Sequence, residues 1–95
     1  EPLTGFNFMA QNRNGRLPRQ WTNGPAKLAQ ALAIDKSCNG ANLCQPDGVI
    51  WLEDAPPVPL EQITTGPRIG LGQTPEPWFS IPWRFWLRDN PYVSK

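Results

Sequence analysis

A chain of 95 residues with twelve prolines and eight glycines makes one small domain at most, with short elements, much irregular loop and a modest core. A net charge of +1 points to no partner, and the absence of histidine excludes a Ser-His-Asp triad, a Cys-His pair and a histidine metal site within these residues. No apolar run is long enough to span a bilayer and no signal-peptide pattern is visible, so the expectation is a soluble intracellular protein.

In chain order, residues 1–10, with Leu3, Phe6, Phe8 and Met9, suit a short helix or turn of mixed apolar character. Asn12 to Arg19 is polar, basic and broken by Gly15 and Pro18, and reads as a loop. Pro25 to about Ile34 is predicted to be a helix. Pro25 fits the first helical position, and Leu28 and Leu32 lie four apart with small alanines between them, so that one face can pack tightly. Ser37 to Asp47 is irregular, with room for one helical turn.

Gly48-Val49-Ile50-Trp51-Leu52-Glu53 carries β-branched and aromatic residues and predicts a strand, followed by a stiff proline-rich connection, Ala55 to Pro59. Ile63 and then Arg68-Ile69-Gly70-Leu71-Gly72 predict a pair of strands or one bent strand. Gln73 to Phe79, with Pro75 and Pro77, is a loop. Trp83 to Arg88 alternates and predicts the last strand, with Trp83, Phe85 and Leu87 on one side and Arg84, Trp86 and Arg88 on the other; Asp89-Asn90-Pro91 ends it. The sum is an α+β chain of one helix and about three strands, antiparallel or mixed because helical crossovers are lacking.

Charge is spread unevenly. Residues 1–36 hold five basic and two acidic side chains, a net +3, and residues 37–95 hold four basic and six acidic ones, a net −2. A basic first third points weakly to an anionic partner such as nucleic acid; on charge alone an ordinary solvated surface is the better reading. Cys38 and Cys44, with five residues between them, match no zinc pair and are expected to be free thiols in a reducing compartment, a disulfide being the unsupported alternative. Glu53 and Asp54 are neighbours that a strand would point to opposite faces, a poor acid–base pair. Gly66 to Thr74 lacks the Lys-Ser/Thr of a phosphate-binding loop and has prolines where a helix should follow, so its glycines read as places of close backbone approach, by packing in preference to a ligand. The Arg84-Trp86-Arg88 face has the alternation that stacks bases and touches phosphates, but Trp86 covered by another segment is the favoured reading.

Lys27 raises the sharpest question. It sits in the first turn of a helix, where the dipole is already positive. The first N–H groups of a helix make an anion site, and Gly24 lets a ligand come close, so Gly24, Pro25 and Lys27 compose a clamp for one nucleic-acid phosphate. A surface lysine costing a few tenths of a kcal/mol accounts for it about equally well.

A resemblance weighs in here. Asn23 to Ile34 with Asp35-Lys36-Ser37 resembles the (N/S)GP-x-KL-x-QALAI-x-KS segment of methylpurine DNA glycosylases, also called alkyladenine or 3-methyladenine DNA glycosylases. Glu1-Pro2-Leu3 with Gly5 resembles the family's EPL-x-G, and Val49 to Glu53 its VWLE strand. Pro67 to Gly72 resembles its RVGVG or RIG strand. Trp83-Arg84-Phe85 followed by Arg88 to Ser94 resembles its LRF…RGSPWVS ending. The loop at Arg13–Arg19 and the link at 56–59 have no counterpart among these motifs.

The resemblance implies a base-excision-repair enzyme that flips an alkylated or deaminated purine, such as 3-methyladenine, out of double-stranded DNA and hydrolyses its N-glycosidic bond. It implies no metal or organic cofactor, a monomer when intact, and residence in the cytoplasm or nucleoid if bacterial or the nucleus if eukaryotic. The implied fold is a single α+β domain with a curved antiparallel sheet, a partial barrel like the formyltransferase C-terminal fold, and few helices. Residues 1–95 correspond to its C-terminal portion only. The family's catalytic glutamate, its base-sandwiching aromatics and its duplex-filling tyrosine are then expected upstream, so the fragment alone is expected to be inactive; a start at Glu1 without an initiator Met also suggests a piece of a longer protein. Carried onto this sequence, the main-chain carbonyl of Ile69 helps hold the nucleophilic water. Gly24, Pro25, Lys27 and Lys36 meet the DNA backbone, with Arg68 a weaker contact. Two alternatives stand beside this reading: a non-catalytic nucleic-acid-binding module from a truncated gene, and a formyltransferase-like barrel in a role away from DNA.

Overall fold

The computed structural model describes residues 1–94. They form two compact units: Glu1–Ala55 together with the residues from Pro91 onward, and Pro56–Asn90.

The first unit is built on two short helices, α1 (Phe6–Asn12) and α2 (Pro25–Ala31). Gly5 enters α1 from the left-handed region, with φ +73°, and its carbonyl accepts from Met9 N at 3.0 Å. Met9 on α1, Ala31 on α2 and Trp21 between them are the buried apolar residues, and Ala31 is completely inaccessible. A methyl group at that position lets the helices approach where a larger side chain would hold them apart. Trp21 enters the core with its one donor satisfied, Nε1 donating to Arg16 O at 3.0 Å, and its ring lies 6.5 Å from that of Phe6.

Polar side chains staple the two helices. Asn12 Nδ2 donates to Ala31 O at 3.0 Å, serving a carbonyl left open by the end of α2. Arg13 donates from Nη1 to Gln30 Oε1 and from Nη2 to Gln20 O at 3.2 Å. Arg13 is therefore a structural cation, not part of a solvated basic surface.

Helix α2 is shorter than the sequence predicts. It stops at Ala31 because Ala33 turns left-handed, φ +54°, and the chain closes a Schellman motif: Ile34 N donates to Ala29 O at 2.8 Å and Ala33 N to Gln30 O at 3.2 Å. This position ordinarily calls for glycine, so an alanine there conceals the helix end. Leu28 and Leu32, expected on the packing face, remain exposed; Ala31 is the residue that packs. Residues 48–53 are not a strand. Leu52 N donates to Leu43 O at 2.9 Å, but no strand pairs with the segment, and β-propensity without a ladder partner does not make a sheet.

The second unit carries one two-stranded antiparallel sheet, β1 (Ile63–Gly66) with β2 (Arg84–Leu87), in the register Ile63↔Leu87, Thr64↔Trp86, Thr65↔Phe85 and Gly66↔Arg84. Arg88 N continues the ladder to Gln62 O at 2.8 Å. The predicted strand at 68–72 is instead a pair of turns, since Gly70 and Gly72 have φ of +81° and +56°, incompatible with extended backbone. The close approach anticipated for this glycine-rich stretch occurs one element earlier: a Cβ on Gly66 would lie 3.0 Å from the Trp86 ring, whereas nothing lies within 4 Å of one on Gly70 or Gly72.

Candidate nucleic-acid interface

The start of α2 is assembled from Asn23 to Leu28. Leu28 N donates to Gly24 O at 2.8 Å, closing the first turn, and Pro25 occupies the first helical position where no N–H is required. Gly24 is extended, with φ 172° and ψ 156°, a conformation any residue adopts. A Cβ there would sit 3.7 Å from Lys27 Cδ, an ordinary contact. Glycine at 24 is thus not demanded by the backbone; it leaves bare main chain beside the lysine stem.

Lys27 Nζ donates to Asn23 Oδ1 at 2.9 Å, and the first turn has no acidic residue. This answers what makes a cation tolerable at the positive end of a helix. The amide oxygen of Asn23, just ahead of the Gly24 cap, accepts from the ammonium and brings no charge of its own. A charge partnered by a neutral amide stays available to an incoming anion. Asn23 was not picked out as a partner from the sequence, although its spacing from Lys27 is the one that brings side chains together on a helix.

Lys36 lies beyond the other end of α2, at the first position of a 3-10 turn, Lys36–Cys38. Asp35 caps that turn: its Oδ1 accepts from Ser37 N at 2.8 Å and from Ser37 Oγ at 2.6 Å, and these two bonds hold its carboxyl below the usual range. Ile34, Asp35, Lys36, Cys38 and Asn39 line a shallow, open depression. Lys27 lies in the first turn of α2 and Lys36 beyond its end, so the two lysines belong to different elements of the chain. Cys38 and Cys44 are both free thiols.

In the second unit, Arg68 and Ile69 lie in the exposed turn after β1, and no hydrogen bond among the described residues engages the Ile69 carbonyl oxygen. The Arg84–Trp86 face is used internally: the Arg84 guanidinium stands 4.5 Å from the Trp86 ring centroid, and the same ring lies against Gly66. Trp86 is therefore not a free stacking platform. Among the described residues, no group of His, Cys, Asp and Glu is placed to hold a metal ion, and no helix is long and apolar enough to cross a membrane.

What the geometry defines is a pair of lysines, one in the first turn of α2 and one just past its end. Comparison with known proteins gives it a family. The methylpurine-DNA glycosylase (MPG) family profile matches residues 1–91, and the chain belongs to that family. Along its whole length it is 41% identical to a 3-methyladenine DNA glycosylase of Bacillus velezensis and 41% to one of Bacillus subtilis, covering 46% of each. It is 44% identical to another of Gloeobacter violaceus, covering 41% of that protein. The chain thus spans less than half the length of these relatives.

Proposed function

We propose that these residues are the C-terminal part of a DNA repair glycosylase, which removes alkylated or deaminated purines such as 3-methyladenine from double-stranded DNA. The observation that carries this reading is the family match over residues 1–91, supported by relatives that bear the name 3-methyladenine DNA glycosylase. The reaction adds water across the N-glycosidic bond: the water oxygen bonds to the sugar C1′, the C1′–N bond breaks, and the base departs with a proton. The target purine must leave the stack first, because its glycosidic carbon is not approachable inside the duplex.

Within this division of labour, residues 1–95 do the holding. The Lys27 ammonium, kept from neutralisation by its amide partner, meets a DNA phosphate beside the bare main chain of Gly24 and Pro25. Lys36 takes a second backbone position and Arg68 a weaker one. The Ile69 carbonyl, left open by the turn at Gly70, accepts from the nucleophilic water. The glutamate that activates that water is supplied from outside these residues, so the chain by itself is inactive. The intact domain is a monomer with a curved antiparallel sheet to which β1 and β2 contribute, and it works where the DNA is.

The test is excision from a duplex oligonucleotide containing hypoxanthine or 3-methyladenine by the intact protein, read as alkali-labile abasic sites. Excision by the intact protein and none by residues 1–95 is expected. Duplex binding without excision in the intact protein would favour the non-catalytic binding module instead.

A further inference from the structure

The two faces of the β1–β2 sheet differ. Directly opposed residues share a face, so Thr64, Gly66, Arg84 and Trp86 lie on one side and Ile63, Thr65, Phe85 and Leu87 on the other. The first face is closed by its own side chains, with Trp86 against Gly66 and Arg84 against Trp86. The second is open: Phe85 is 67% exposed, the opposing Thr65 is exposed, and Trp83, on the same side by alternation, is 55% exposed. An isolated two-stranded sheet is marginal in water, and both of its strands are edges. A half-open apolar face on such a sheet marks an interaction surface.

The occupant follows from lengths. All 95 residues align with relatives of which they make up only 41–46%, so more than half of the family polypeptide lies outside them. We infer that the Ile63–Thr65–Phe85–Leu87 face, continued by Trp83, is the docking surface on which the remainder of the glycosylase domain lays its own apolar face. This rests on family membership and not on the reaction proposed above.

Residues 1–95 are co-expressed with a tagged polypeptide comprising the part of the Bacillus subtilis relative outside the match. A one-to-one complex is expected, and Phe85→Lys should reduce the recovered chain by about tenfold, as for a central interface residue. Val49→Lys, at a position 89% exposed and outside the strands β1 and β2, should leave recovery unchanged. Because Phe85 is already open to solvent, the variant alone should keep the wild-type far-ultraviolet spectrum.

A second measurement needs no association in trans. In a Cys38→Ser, Cys44→Ser background, a Phe85→Cys thiol should react with a maleimide about tenfold more slowly when both parts are joined in one polypeptide than in the chain alone. Equal labelling in the two contexts, or a complex indifferent to Phe85→Lys, overturns the inference. So does a chain that dimerises by itself and is made monomeric by Phe85→Lys, which would make a second copy the occupant. Loss of excision with association intact bears only on the proposed reaction.

Discussion

The helical unit and the sheet unit solve the same problem differently. The helical unit has a core of its own, small but closed, in which Met9, Trp21 and Ala31 are buried while Asn12 and Arg13 tie the ends of α1 and α2 together. The sheet unit has no buried apolar residue, and its large side chains, Trp78, Phe79, Trp83 and Phe85, face outward. Trp78 and Trp83 find each other, at 5.7 Å between rings, and each remains about half exposed. The lesson is that a local element is stable only to the extent that its own surroundings remove its apolar surface from water. α1 and α2 meet that condition within these residues; β1 and β2 need apolar surface from elsewhere.

The largest effect that would break this comparison is truncation of the helical core. Trp21→Ala should cost about 3–5 kcal/mol, enough to abolish cooperative thermal loss of the helical signal, whereas Phe85→Ala in the 95-residue chain should change stability by less than about 0.5 kcal/mol. Equal effects of the two would mean that the units do not differ as described.

Next in size is Lys27→Ala in the intact protein. Duplex affinity should fall severalfold regardless of sequence, and the slope of log affinity against log salt should lose about 0.9, one phosphate's worth. An unchanged slope, measured by fluorescence anisotropy at several salt concentrations, would return Lys27 to the ordinary solvated surface.

The left-handed alanine at the end of α2 offers a smaller gain. Ala33→Gly should relieve strain and stabilise the helical unit by about 1 kcal/mol, read from the shift of its urea midpoint, although glycine's extra freedom in the unfolded chain offsets part of this. The smallest effect concerns Asp35. Its carboxyl is held down by the two bonds from Ser37, so the contribution of this cap is present above the unfolded carboxylate range and is lost as pH falls through the lower folded value. Ser37→Ala should move the Asp35 titration upward towards 3.8, followed by NMR of its side-chain carbon. An unmoved titration would remove the Ser37 hydroxyl as a cause and leave the backbone N–H.

How much was legible in advance varies by element. Helix α2 and strand β2 could be placed because their signals are local: a proline at a helix start, and strict alternation through Trp83–Arg88. Strand β1 was half seen, as Ile63, and its partner limb was misplaced to 68–72 because Ile69 and Leu71 look like strand residues while their intervening glycines take left-handed conformations. The helix end at Ala31 was hidden because the reversing residue is an alanine. Of the candidate site, Gly24, Pro25, Lys27 and Lys36 were all named from the sequence, but the Asn23 amide that accepts from Lys27 was not.

The sequence by itself determined the chemistry available: no histidine, two thiols without partners, cations gathered in the first third, and motifs specific enough to place the chain in a family of DNA glycosylases. Tertiary structure decided which of those groups are engaged and which are open. Arg13 was drawn into the fold because Gln20 and Gln30 come within reach of its guanidinium, whereas Arg84 meets Trp86 because a strand puts residues two apart on one face. The Lys27 ammonium rests on the amide oxygen of Asn23, four residues back. The Arg13 contacts join residues 17 and 7 positions apart, and proximity of that kind is created only when the backbone closes.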